Sequence, residues 1–96
     1  MRAAFAMRLR SGKEEGYREA HRAVWPELIA ETSQAGIRNL TCFMQGRTVF
    51  VYLEADNIEE ATMKLKSQPV NSRWDEYMKE FIEPDSIFLE EVFHMD

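Results

Sequence analysis

The stretch Tyr17-Arg18-Glu19-Ala20-His21-Arg22-Ala23-Val24-Trp25-Pro26-Glu27 gathers the residue types of this chain best suited to chemistry. His21 is one of two histidines. Histidine changes charge near pH 7, so it can both give and take a proton in general acid–base catalysis. Tyr17 stands four residues before it and Trp25 four residues after. On a helix that spacing puts side chains on one face, about 5–6 Å apart at Cβ. A bland reading stands beside this one, in which His21 is a core histidine hydrogen-bonded by the backbone or by the Tyr17 hydroxyl. Trp25 and Trp74 are open in the same way. They are either ordinary helix-to-sheet core or an aromatic platform for the apolar face of a sugar or other small ring. Asn39 is either a polar strand-edge residue or a ligand contact. Glu27, just after Pro26, complements the positive end of a helix dipole.

Other chemistries find little support. His21 and His94 are far apart, and no His-x-x-His, Glu-x-x-His or paired-Cys spacing exists, so no metal is expected. Cys42 has no adjacent His or acidic partner and reads as a small core residue. There is no Gly-x-Ser-x-Gly elbow. The four glycines, at 12, 16, 36 and 46, are too scattered for a phosphate loop. Net charge is −5, which argues against a broad grip on nucleic acid or an anionic membrane. No apolar run approaches a membrane span, and the N-terminal apolar segment is too short for a signal peptide. A single cysteine permits no internal disulfide and fits a reducing, cytoplasmic location.

The 96 residues, 45% hydrophobic and 30% charged, read as one folded domain spanning 1–96. Ala3 to Leu9 alternates as a strand. Ser11 is a candidate N-cap, with Glu14 in capping-box spacing. From about Lys13 a helix carries Tyr17, Ala20, His21, Val24, Trp25, Leu28, Ile29 and Thr32 as one stripe. Pro26 lacks an N–H and restricts Trp25, which predicts a kink or two helical pieces with Pro26 opening the second. Gly36 is expected to end the helix in a left-handed conformation. Ile37 to Met44 and Thr48 to Ala55 form a hairpin about Gln45-Gly46-Arg47. Asp56-Asn57 starts a helix running to about Ser67. Pro69 opens another piece, with Val70, Trp74, Tyr77, Met78, Phe81 and Ile82 as its stripe. Glu83-Pro84-Asp85 is expected to stop it, and Phe88 to His94 to form the last strand.

Strand, helix, strand, strand, helix pair, strand is the order of the α+β, ferredoxin-like split β-α-β fold. Apolar residues occur on both faces of the strands, and helices cover only one face. The second face predicts a homodimer packed sheet to sheet.

Tyr17, His21 and Trp25-Pro26-Glu27-Leu28 make this chain resemble the L-rhamnose mutarotase family. The likeness continues through Gly36, Asn39, Glu54, Val70, Arg73-Trp74, Tyr77-Met78 and Glu91-Val92-Phe93, with Ala4-Phe5-Ala6-Met7 at the start. It implies a dimeric α/β barrel enzyme, an isomerase that interconverts the α and β anomers of a monosaccharide without a cofactor. The resemblance assigns His21 as proton donor and Tyr17 and Trp74 as sugar contacts. The family commonly has Tyr where Leu40 stands and a second Trp where Asp75 stands. Both positions are expected to line the sugar pocket, with Asn39 and Trp25 as further contacts.

Mutarotation moves one proton onto the ring oxygen and one off the anomeric hydroxyl. Closure on the other carbonyl face gives the other anomer. L-rhamnose is the expected substrate, with L-fucose or a related sugar as the alternative. Two readings from other classes compete: a non-catalytic ligand-binding barrel, and a cofactor-independent monooxygenase by fold analogy alone.

Overall fold

The computed structural model describes residues 1–96. Its elements are β1 (Arg2–Leu9), α1 (Glu14–Arg22), α2 (Pro26–Gln34), β2 (Ile37–Gln45), β3 (Thr48–Ala55), α3 (Ile58–Lys66), α4 (Pro69–Met78) and β4 (Ile82–Leu89). The four strands form one antiparallel sheet in the order β2-β3-β1-β4. This is the expected α+β, ferredoxin-like arrangement, and within one chain the sheet stays open rather than closing into a barrel. No helix is long and apolar enough to cross a membrane.

Proline chemistry divides both helical segments, α1 from α2 and α3 from α4. Trp25 is extended, at φ −59° and ψ 127°, and Pro26 is the first residue of α2. Gln68 is likewise extended, and Pro69 opens α4. A proline at the first helical position sacrifices no internal hydrogen bond, because that N–H has no partner in the helix anyway. Asn57 caps α3 by accepting a hydrogen bond from the Glu60 N–H at 3.0 Å. Gly36 follows α2 at φ 106°, a conformation costly for residues with a Cβ. The Ser11 cap is not formed. Lys13 occupies the N-cap of α1, and no side chain caps it.

The helices cover one face of the sheet. On that face Val49, Val51 and Leu53 of β3 are buried, flanked by Met7 and Phe5 of β1 and by Met44, Cys42 and Leu40 of β2. Tyr17 and Ala20 of α1 and Met78 of α4 pack onto this layer with Leu9 and Phe81. A second cluster joins Ile37, Leu53, Ala55 and Ala61 under α3.

On the opposite face, Phe43, Phe50, Ala6 and Ile87 line up across all four strands, and Thr41, Tyr52, Ala4 and Leu89 form the next row. Phe43, Phe50, Ile87 and Leu89 are exposed. The expectation of apolar residues on both faces therefore holds.

Two boundaries differ from the sequence reading. The last strand is Ile82–Leu89 rather than Phe88 to His94, and Phe81 and Ile82 lie beyond the helix. The cause is a bulge. Ile82 pairs with Leu9 and Ser86 with Met7, so Glu83-Pro84-Asp85 loops out opposite Arg8 alone. β4 is an edge strand, where a proline removes no interior ladder bond. Residues 90–96 form no regular structure.

Candidate active site around His21

The first helix breaks in the segment that carries the chemistry. α1 ends at Arg22, one residue past His21, and Ala23 to Trp25 turn the chain into α2. His21 thus sits in the last turn of α1, half-buried at the edge of the core. Its Nδ1 lies 2.9 Å from the carbonyl oxygen of Tyr17. A carbonyl can only accept, so Nδ1 carries the hydrogen and donates it. In the neutral ring Nε2 is then left with its lone pair, the atom able to take a proton.

Aromatic rings hold the imidazole. The Tyr17 ring stacks on it with centroids 4.1 Å apart. The Trp74 ring meets it edge-on at 5.4 Å. Trp25 lies edge-on to Trp74 at 5.0 Å and stacks on Tyr77 at 5.9 Å. Tyr77 also lies edge-on to Trp74 and Phe81. Each of these contacts fixes a ring plane as well as burying apolar area. Arg73 ties the start of α2 to α4 through Glu27 at 3.1 Å.

Beside His21 a cleft of about 290 Å³ opens between α1 and β2. Tyr17, Arg18, His21, Arg22, Cys42 and Met44 line it. Arg22 pairs with Glu15 and Glu19, and Arg18 with Glu15 at 3.2 Å. Those two guanidiniums hold the Glu15 carboxyl below its usual pKa. Burial pushes the Tyr17 phenol well above its ordinary range, and the neighbouring Cys42 thiol adds to the shift. The phenol therefore stays protonated at neutral pH, as a hydrogen-bond donor rather than a base. Partial desolvation against the Tyr17 side of the cleft also raises the Cys42 thiol, although the residue is exposed, keeping it protonated.

Tyr17, His21, Trp25 and Trp74 thus come together as one cluster. Leu40 lies on the same face of β2 as Cys42 and Met44 and is exposed, but it is not among the residues that line the cleft. Asp75 is turned to another neighbourhood. The Asn71 amide donates to its carboxylate at 3.3 Å, and Lys66 and Lys79 are the nearby charges. Desolvation raises the Asp75 pKa, outweighing both lysines.

Asn39 is not brought to the cluster. It pairs with Glu54 while Ile37 pairs with Ala55, so Arg38 is an extra residue. That bulge reverses the alternation and sends Asn39 to the face away from the helices, where its side-chain Oδ1 accepts from the Thr41 hydroxyl at 3.1 Å. The expected ligand contact by Asn39 is therefore absent from this cleft.

Cys42 is exposed on the cleft wall rather than enclosed in the core, as its sequence context had suggested. Met44, Arg18 and Arg22 had no distinguishing motif and emerge only from the packing of α1 over β2. Tyr77 was legible as a core position of the α4 stripe, but its stacking on Trp25 was not.

Comparison with known proteins identifies the family and the fold. Residues 2–95 match the family described as L-rhamnose mutarotase. The chain is 33% identical to the L-rhamnose mutarotase of Oceanobacillus iheyensis over 103 residues, covering 99% of this chain and 98% of the relative. The crystal structure of L-rhamnose mutarotase FA22100 from Formosa agariphila superimposes with a TM-score of 0.85 at 28% identity, covering 100% of this chain and 99% of that one. A dimeric ferredoxin-like protein from an uncultured marine organism shares the fold, with a TM-score of 0.65 at 15% identity over 99% of this chain and 96% of that one. The match across nearly the whole sequence shows that the chain belongs to the L-rhamnose mutarotase family.

Proposed function

We propose that this protein is a mutarotase interconverting the α and β anomers of L-rhamnose or a closely related 6-deoxyhexose, with His21 as the proton carrier. The observation that carries the reading is the 2.9 Å contact of His21 Nδ1 with the Tyr17 carbonyl, in a residue that lines the cleft. It supports a role for Nε2 as the atom that exchanges protons with the sugar.

In this mechanism protonated His21 gives the Nε2 proton to the ring oxygen as the bond from that oxygen to the anomeric carbon breaks. The anomeric hydroxyl loses its proton as the carbonyl forms, and a water molecule accepts it. Rotation of the open chain presents the other carbonyl face. On ring closure the C5 hydroxyl attacks the carbonyl carbon and gives its proton back to His21 Nε2, while the water returns its proton to the carbonyl oxygen, which becomes the new anomeric hydroxyl. A positioned general acid–base of this kind contributes about 10²–10⁴-fold. Tyr17 offers a neutral hydroxyl to a sugar oxygen, and Trp74, edge-on to His21 and braced by Trp25, fixes the imidazole beside the cleft. Leu40, at one departure from the family pattern, tunes which sugar is preferred, whereas Asp75, at the other, is turned to Asn71 and away from the cleft. The cleft is at the small end of ligand sites, which suits a monosaccharide.

We further infer that residues 1–96 act as one domain, as a cytoplasmic homodimer joined through the exposed row of Phe43, Phe50 and Ile87. Exchange NMR of purified protein with L-rhamnose tests the activity. Cross-peaks between the anomers should build up faster than in buffer alone. Binding without faster exchange would show a ligand-binding barrel instead.

A further inference from the structure

We propose that Cys42 and Met44 of β2 form the seat for the C6 methyl group, and so make the site selective for a 6-deoxy sugar over its 6-hydroxy counterpart. This rests on the mutarotase reading of the same cleft.

In a 6-deoxypyranose the methyl carbon is attached to C5, which is bonded directly to the ring oxygen. Whatever group protonates the ring oxygen therefore has the methyl two bonds from its target. With His21 in that role, the methyl must lie against the surfaces that border the imidazole in the cleft.

Those surfaces differ in kind. Arg18 and Arg22 carry their charge toward solvent, held by Glu15 and Glu19. The Tyr17 ring is committed, stacked on His21 and buried to 4% exposure, so in this reading Tyr17 offers the sugar only its hydroxyl and no apolar face. Cys42 and Met44 remain, at alternate positions of β2, opposite Val51 and Val49 and facing the helices. Their sulfur atoms are soft and apolar, and both are only weak hydrogen-bond partners. A methyl group loses nothing on contact with this wall. A hydroxymethyl group would leave its hydroxyl facing a thiol and a thioether. An apolar pocket cannot strongly reject an added hydroxyl, so the discrimination falls in the range of about 10- to 100-fold. The remaining sugar hydroxyls face the open, charged side of the cleft.

The test compares L-rhamnose with L-mannose, which differs only by a hydroxyl at C6. Exchange NMR gives kcat/KM for each sugar with the wild-type protein, Cys42→Ser and Met44→Gln. The wild type should prefer L-rhamnose by about tenfold or more. Both variants should narrow that ratio at least threefold, because each adds a strong hydrogen-bonding group to the wall. Met44→Leu should keep the wild-type ratio. The ratio is taken within one preparation, so partial unfolding lowers both rates together and leaves it unmoved. A wild-type preference below twofold, or a ratio unchanged in both polar variants, overturns the methyl seat while the mutarotase reading stands. Absence of accelerated exchange with either sugar in the wild type overturns that reading, and the methyl seat with it.

Discussion

Nδ1 of His21 lies 2.9 Å from the main-chain carbonyl oxygen of Tyr17, and the two rings stack at 4.1 Å. One residue thus supplies both the orienting acceptor and a face for the imidazole. The acceptor is backbone, so it survives any substitution at position 17 that keeps the helix. Tyr17→Phe retains the ring and the carbonyl and removes only the hydroxyl. The variant should lose about tenfold or less in kcat/KM, the scale of one neutral hydrogen bond to the sugar. Its pH–rate profile should keep its shape. A loss as large as that from removing His21 would show the phenol in the proton chemistry itself.

Gly16 touches the core through its missing side chain. A Cβ there would stand 2.7 Å from Cε1 of Phe81, whose ring is buried and lies edge-on to Tyr77. Helix propensity favours alanine over glycine by about 0.5–1 kcal/mol. Overpacking a filled site costs about 1–3 kcal/mol. The clash should win, so Gly16→Ala is expected to lower Tm by several degrees, on the scale of about 4–8 °C per kcal/mol for a domain this size. A thermal melt followed by circular dichroism decides it. A rise in Tm would show that Phe81 yields freely.

Asp75 is destabilised as an anion by burial. Its folded pKa lies above the ordinary value of 3.8, so the native state holds the proton more tightly than the unfolded chain. Stability attributable to this group should therefore fall as pH rises from the unfolded pKa through the folded one. Asp75→Asn removes that term. Urea titrations at a series of pH values should show the variant gaining on the wild type across this window and holding a constant difference above it. A gap that shrinks with rising pH would reverse the assignment.

Phe43 and Phe50 pair across β2 and β3 on the uncovered face and are 60% and 43% exposed. Light scattering should give a dimer for the wild type and a monomer for Phe50→Glu, since a charge buried between two apolar sheets has no partner. A monomeric wild type at micromolar concentration would remove the sheet-to-sheet dimer.

Much of this was legible in the primary structure because the residues concerned act locally. Pro26 and Pro69 open helices, Gly36 takes a positive φ, and the stripe from Tyr17 to Leu28 faces the core wherever it is helical. Tyr17 and His21 could be placed together from their spacing alone, but Trp25 lies past the break after Arg22 and joins them through Trp74. What escaped depends on pairing between distant strands. The bulge at Arg38 reverses the face of Asn39, and only the register against β3 reveals it. Pro84 reads as a breaker, yet an edge strand with three looped-out residues accommodates it. Cys42 looks like core because it alternates with apolar neighbours, but its position on the edge strand β2 leaves it open to the cleft.

The account turns on the proton at His21 Nε2. Its most direct test is anomer-exchange NMR of L-rhamnose with wild-type protein and with His21→Asn, after circular dichroism shows that both are folded. Asparagine cannot carry a proton near pH 7. The variant is expected to lose at least about 100-fold in exchange rate relative to the wild type. Exchange at the wild-type rate in folded His21→Asn would contradict the mechanism.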